Sequence, residues 1–196
     1  MKKWFRRFRV RQVSIHELDD RMLLVNLYAT QIFTLVLGCV VIWLQGRSVA
    51  PLFALPGDET FLWWAAGFAG IVLFVDAVLS QWVPEEWTDD GGVNERLFGH
   101  RAWWHLIWIC FMVSVCEELL FRGGIQQLIG AYWTSILFAV IHVRYLKHWL
   151  MTLLVFLISY GLGWIYQTTG TLWTPIAAHF LIDAVMAGII RYRRKT

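Results

Sequence analysis

Apolar residues in this chain gather into six blocks, 22–44, 61–83, 102–121, 131–143, 149–166 and 172–190, divided by short polar stretches. A helix needs about 20 apolar residues to cross roughly 30 Å of hydrocarbon, and most of the blocks approach that length. Lipid offers no partner for backbone N–H and C=O groups, so segments of this kind satisfy them internally as helices. The pattern therefore predicts an all-α, polytopic transmembrane helical bundle with about six membrane segments. The fourth block is the exception. Its 13 residues fall short of an upright span, which needs about 17, so it is expected to be re-entrant or shielded from lipid by its neighbours.

Composition sharpens this picture. Of the 196 residues, 58% are hydrophobic and 16% charged, whereas an ordinary soluble domain has roughly 45–50% and 25%. Many of the thirteen Trp residues stand near block ends, among them Trp43, Trp63, Trp64, Trp82, Trp103, Trp104, Trp149 and Trp173. That is where an aromatic belt meets the membrane interface. Cys39, Cys110 and Cys116 lie inside apolar blocks, an odd number without paired spacing, and read as packing residues rather than a disulfide framework or a zinc cluster.

The chain divides into a basic leader over 1–21, two N-terminal spans and an acidic loop over 22–101, a core over 102–190, and a basic tail over 191–196. The leader carries no short apolar run with a small-residue cleavage site, so it does not read as a cleaved signal peptide. Ser14 and Glu17 form a capping-box pattern ahead of the first block, and Asp89-Asp90-Gly91-Gly92 is a turn signal. Six spans put both termini on one side, and the Lys and Arg excess at both ends places that side in the cytoplasm, with the protein an integral, multi-pass component of a bacterial cytoplasmic membrane.

An ionisable group inside a bilayer costs at least a few kcal/mol, so each one needs a reason to be there. The informative ones are Glu117, Glu118 and Arg122 at the end of block three, His142 in block four, and His179 and Asp183 in block six. On a helix Glu118 and Arg122 stand at i and i+4 with the acid first, the favourable order for an ion pair. Glu117 points about 100° around the helix from Glu118 and finds Phe121 at i+4, so it is left for another helix. Phe138 shares a face with His142, and His179 with Asp183. An Asp one turn from a His can fix its tautomer and raise its basicity. His16, His100, His105 and His148 lie in polar segments or near block ends and are assigned no role. Asp76 reads as a packing or cavity-lining group, and Asn26 and Gln31 as interhelical hydrogen-bonding groups.

The segment Glu117-Glu118-Leu-Leu-Phe-Arg122-Gly123 resembles the E-E-x-x-x-R-G motif of the CPBP family, also called the ABI family, of CAAX prenyl proteases and bacteriocin-processing enzymes. Phe138-Ala-Val-Ile-His142 is similar to that family's F-x-x-x-H motif, and His179-Phe-Leu-Ile-Asp183 to its H-x-x-x-N or D motif. The resemblance implies an intramembrane endopeptidase acting on a peptide or membrane-associated protein. In that reading Glu117 and His142 activate water, Glu118 and Arg122 shape the site, and His179 stabilises the oxyanion. Asp183 stands where many members have Asn and is expected to orient His179. Cys116 lacks a basic flank that would activate a thiol. Glu117, His142 and His179 also have the residue types of a two-His, one-carboxylate zinc site, so a zinc route and a cofactor-free route both stay open.

The implied partners are a peptide or membrane-protein substrate and the lipid bilayer, with no nucleic acid among them. Two other classes fit parts of the pattern. A non-catalytic immunity or scaffold protein of the same fold would keep the pocket without turnover, although all motif positions are intact here. A small-solute carrier would also bury carboxylates and histidines around broken helices, but the chain has no internal repeat.

Overall fold

The computed structural model describes residues 19–84, 87 and 92–193. The leader up to residue 18, with its capping-box pattern, and most of the Asp89 turn signal lie outside them. Among the described residues seven α-helices follow in order: α1 Asp20–Leu44, α2 Thr60–Trp82, α3 Val93–Phe98, α4 Trp103–Glu118, α5 Gln126–Ile141, α6 Trp149–Thr169 and α7 Trp173–Arg193. A 3-10 turn, Ala50–Phe53, joins α1 to α2, and a π-helix, Leu119–Ile125, joins α4 to α5. No strand occurs among the described residues.

Among the described residues five helical runs are long and apolar enough to cross a membrane, and the chain is a multi-pass membrane protein. Their burial sorts them. Only 17% of the apolar window of α1 and 11% of that of α2 is covered by protein, against 50% for the run Trp103–Ile141. Exposed side chains such as Ile32, Phe33, Trp63 and Phe74 on the outer helices form the apolar surface that lipid covers. The run α4–π–α5 sits at the centre, and it carries the first two motifs.

Blocks three and four share this central run, and the reason they do not make one straight rod is Gly130. Its backbone is non-helical, with φ 76° and ψ 167°, inside α5, a left-side conformation open to glycine and rarely to other residues. The chain turns back there. Phe121 and Phe138 stack edge to face with ring centroids 4.8 Å apart, where an uninterrupted helix would hold them about 25 Å apart. Block four is thus a short return limb inside the bundle, packed on α6; it shares one long run with block three, and the other four long runs account for the remaining blocks.

Contacts at the helix ends fix the relative placement of the termini. Arg96, in α3 between α2 and α4, binds Asp20 at the start of α1 at 2.9 Å. Arg191 at the end of α7 donates to the carbonyl of Arg101 just before α4. Both ends of the described chain therefore lie at one end of the bundle. Single cysteines introduced for Asp19 and Arg193 are expected to react with an impermeant thiol reagent from the same side of a sealed vesicle. Reaction from opposite sides would contradict this packing.

Where lipid removes the hydrophobic drive for helix association, close packing at small residues takes its place. A Cβ at Gly38 of α1 would stand 3.2 Å from the Cα and N of Leu120, so glycine lets α1 lie directly on the π-helix. The π-helix in turn releases carbonyls from the regular ladder, and side chains capture them. Arg47 Nη1 donates to Gly123 O at 2.7 Å, Gln45 Nε2 to Gly124 O at 3.1 Å, and Gln127 Nε2 to Arg122 O at 3.2 Å. Single-turn π segments inside α-helices often mark functional sites.

Candidate active site

The sequence predicted that the Glu118–Arg122 pair would form on an α-helix running through Phe121. The helix is instead α up to Glu118 and π beyond it. The pair forms nonetheless, with Arg122 Nε 3.0 Å from Glu118 Oε2 and both side chains essentially inaccessible. Arg122 also donates through Nη2 to the Ser159 carbonyl at 2.8 Å and its hydroxyl at 3.1 Å, and lies 5.3 Å over the Phe138 ring. A buried guanidinium that met only one carboxylate would be poorly compensated. Here α6 supplies two more acceptors and α5 an aromatic face.

The other oxygen of Glu118 reaches α7, where His179 Nδ1 donates to Oε1 at 2.8 Å. His179 Nε2 lies 3.5 Å from Asp183 Oδ2. The result is a continuous polar chain, Arg122–Glu118–His179–Asp183, that ties the π-helix to α7. Asp183 meets the expectation of a group facing His179, at the length of a charge contact rather than a short hydrogen bond. The Glu118–His179 bond was not foreseen, because the i+4 arginine had already accounted for Glu118.

Glu117 faces elsewhere. It is half-buried, and its Oε1 accepts from Gln31 Nε2 of α1 at 3.2 Å. His142 caps the C-terminus of α5, tilts against the Phe138 ring with centroids 4.5 Å apart, and uses Nδ1 on the Phe138 carbonyl at 2.7 Å. A carbonyl only accepts, so Nδ1 carries the hydrogen and Nε2 keeps the lone pair. Phe138 thus joins His142 to Arg122 through one ring. Counting helix rise, Glu117 lies about 21 Å from the start of α4 and His179 about 9 Å from the start of α7. The site is therefore deep in the bundle, nearer the end opposite the termini.

The donor set considered for zinc does not assemble. Among the described residues no group of three or more His, Cys, Asp or Glu side chains is arranged to hold a metal ion. His179 turns Nδ1 onto Glu118 and Nε2 toward Asp183, rather than toward a point shared with Glu117 and His142. As placed, the described residues do not converge into the metal centre that their types suggested.

Three further participants were not read as such from the sequence: Ser159, Phe138 in its contact with Arg122, and Gln31 as the partner of Glu117. Ser159 left a weak signal as a small polar residue midway along an apolar helix. Asn26, grouped with Gln31 in the sequence reading, is exposed. His105 hydrogen-bonds the Tyr28 hydroxyl at 2.9 Å and stacks on Trp104, a joint between α1 and α4. A cavity of about 510 Å³ lined by Pro51, Asp58, Thr60, Tyr166, Thr169 and Leu172 contains none of the motif residues.

A helical membrane bundle that holds two adjacent glutamates, an arginine and two histidines on three converging segments defines a narrow class of protein. Residues 99–185 match the family model described as type II CAAX prenyl endopeptidase Rce1-like. All eight motif residues, from Glu117 to Asp183, fall within that stretch. The chain belongs to this family. It is also 41% identical over 135 residues to the uncharacterized protein YpbD of Bacillus subtilis (strain 168), an alignment that covers 69% of this chain and 71% of that protein. No solved structure matches it.

Proposed function

We propose that this protein is an intramembrane endopeptidase that hydrolyses a peptide bond in a peptide or membrane-associated protein reaching the site from the bilayer. The observation that carries the reading is the division between the two glutamates. Glu118 is fully buried and neutralised by Arg122 and His179. Glu117 is partly accessible, and its polar contact among the described residues is the neutral amide of Gln31. One acid builds the site and the other is kept for chemistry.

In the proposed reaction Glu117 takes a proton from water, and His142 Nε2, with its lone pair, accepts from the same water and orients it. The water oxygen bonds to the peptide carbonyl carbon while the carbonyl π pair moves onto its oxygen. That oxyanion displaces the long Asp183 contact and is stabilised by His179 N–H. The C–N bond then breaks, and the leaving nitrogen takes the proton held by Glu117. Atoms and charge balance with water as the co-reactant. No thiol is required, which leaves the buried Cys116 to packing.

The Lys and Arg excess at both ends supports cytoplasmic termini in a bacterial membrane, and in this proposal the site then opens toward the opposite half of the bilayer. The test uses purified protein in liposomes with a membrane-tethered peptide, before and after exhaustive chelation. Cleavage that persists at an unchanged rate after chelation is expected. Loss of cleavage on chelation, with recovery on adding zinc, would contradict the cofactor-free route.

A further inference from the structure

We propose that Gln31 of α1, outside the stretch that matches the family, is a positioning residue for Glu117. Gln31 is 7% exposed. Its Nε2 donates to Glu117 Oε1 at 3.2 Å, while its own Oε1 is buried without a hydrogen-bond partner among the described residues. An unpaired buried acceptor costs about 1–3 kcal/mol; Gln126 Oε1 is also left so while its Nε2 donates to the Gly163 carbonyl, and what sets Gln31 apart is that its donor end holds a partly accessible acid. Here one end holds the acid and the other is left for a ligand.

The amide orientation follows from its partner. Rotating it by 180° would set Oε1 against an oxygen of Glu117, and an ionised carboxylate only accepts. With Nε2 on Glu117, the Gln31 carbonyl lies on the same sp² carbon, beside that acid. A neutral donor can hold Glu117 in place without taking its charge, in contrast to what Arg122 does for Glu118.

The placement of Gln31 is built into α1. Gln31, Gly38 and Gln45 recur at i, i+7 and i+14 and so share one helix face. Gly38 sets the contact with Leu120, and Gln45 holds the Gly124 carbonyl at 3.1 Å. The face that fixes α1 on the π-helix therefore also fixes the reach of Gln31 to Glu117.

This inference rests on the proposed hydrolysis, and its test separates the two. Gln31→Leu and the unbranched Gln31→Met are compared with the parent protein for cleavage of a membrane-tethered peptide and for the infrared carboxylate band of Glu117, identified as the band lost in Glu117→Gln. The expected result is a fall in kcat of about 10–100-fold, as for other residues that orient a functional group. KM should stay within about twofold, and the Glu117 band should move. Adding Gln31→Met to Glu117→Gln should slow cleavage no further, because Gln31 acts through Glu117. An unmoved band, or equal losses from Gln31→Met in both backgrounds, would overturn the proposal. A moved band in a protein that cleaves no tethered peptide would support the Gln31–Glu117 arrangement and overturn the hydrolytic reading instead.

Discussion

Glu117→Gln is expected to slow peptide cleavage by roughly 10²–10⁴-fold, the usual loss when a general base is removed, while leaving thermal stability in detergent close to that of the parent. Both halves of this expectation come from the same geometry. Glu117 is half-buried, and its neighbour Gln31 is neutral, so a neutral amide at 117 leaves no charge stranded. Its shape is kept, and an amide oxygen can still accept from Gln31 Nε2. What disappears is the ability to take a proton from water. Full activity in this variant would show that a structural carboxylate had been mistaken for the base.

Glu118→Gln should behave in the opposite way. Glu118 and Arg122 are both 0% exposed, and removing the carboxylate leaves a buried guanidinium with two neutral acceptors on Ser159 and an aromatic face. Breaking a buried pair by removing one partner typically costs about 3–5 kcal/mol. For a chain of this size that corresponds to a fall in melting temperature of roughly 6–20 °C. His179 exchanges a charged acceptor for a neutral one in the same step, so cleavage should fall as well. Thermal unfolding in detergent checks the expectation, and the decisive comparison is with Glu117→Gln. Equal destabilisation of the two variants would erase the division of labour between adjacent acids.

Local geometry made some of this legible in the sequence. Glu118 with Arg122, Phe138 with His142, and His179 with Asp183 are all i and i+4 pairs, and helical periodicity alone brings such pairs onto one face. All three are in contact or face each other in the fold. The membrane-spanning blocks were equally plain, because lipid demands long apolar helices whatever their partners.

What the sequence did not disclose depends on distant parts of the chain. Gln31 stands in a different block from Glu117, and nothing in local periodicity says which polar residue of α1 will face α4. Ser159 on α6 and the second bond of Glu118, to His179 on α7, are hidden for the same reason. The π-helix has no pattern of its own in an apolar stretch, and its tolerance depends on Arg47 and Gln45, which supply the hydrogen bonds its carbonyls need. Gly130 was visible as a residue beside block four, but its role as the point of reversal follows only from the Phe121–Phe138 contact. The zinc alternative arose because residue types carry no orientation, whereas the carboxylates at both nitrogens of His179 do.

The most direct measurement of the central claim is product analysis after incubating the reconstituted protein with a membrane-tethered peptide in water enriched in oxygen-18. The account predicts two fragments, with one heavy oxygen in the new carboxyl terminus after a single turnover, and no such fragments above background on the same timescale from Glu117→Gln. An intact peptide with the parent protein, or the same labelled fragments at the same rate from Glu117→Gln, would contradict it.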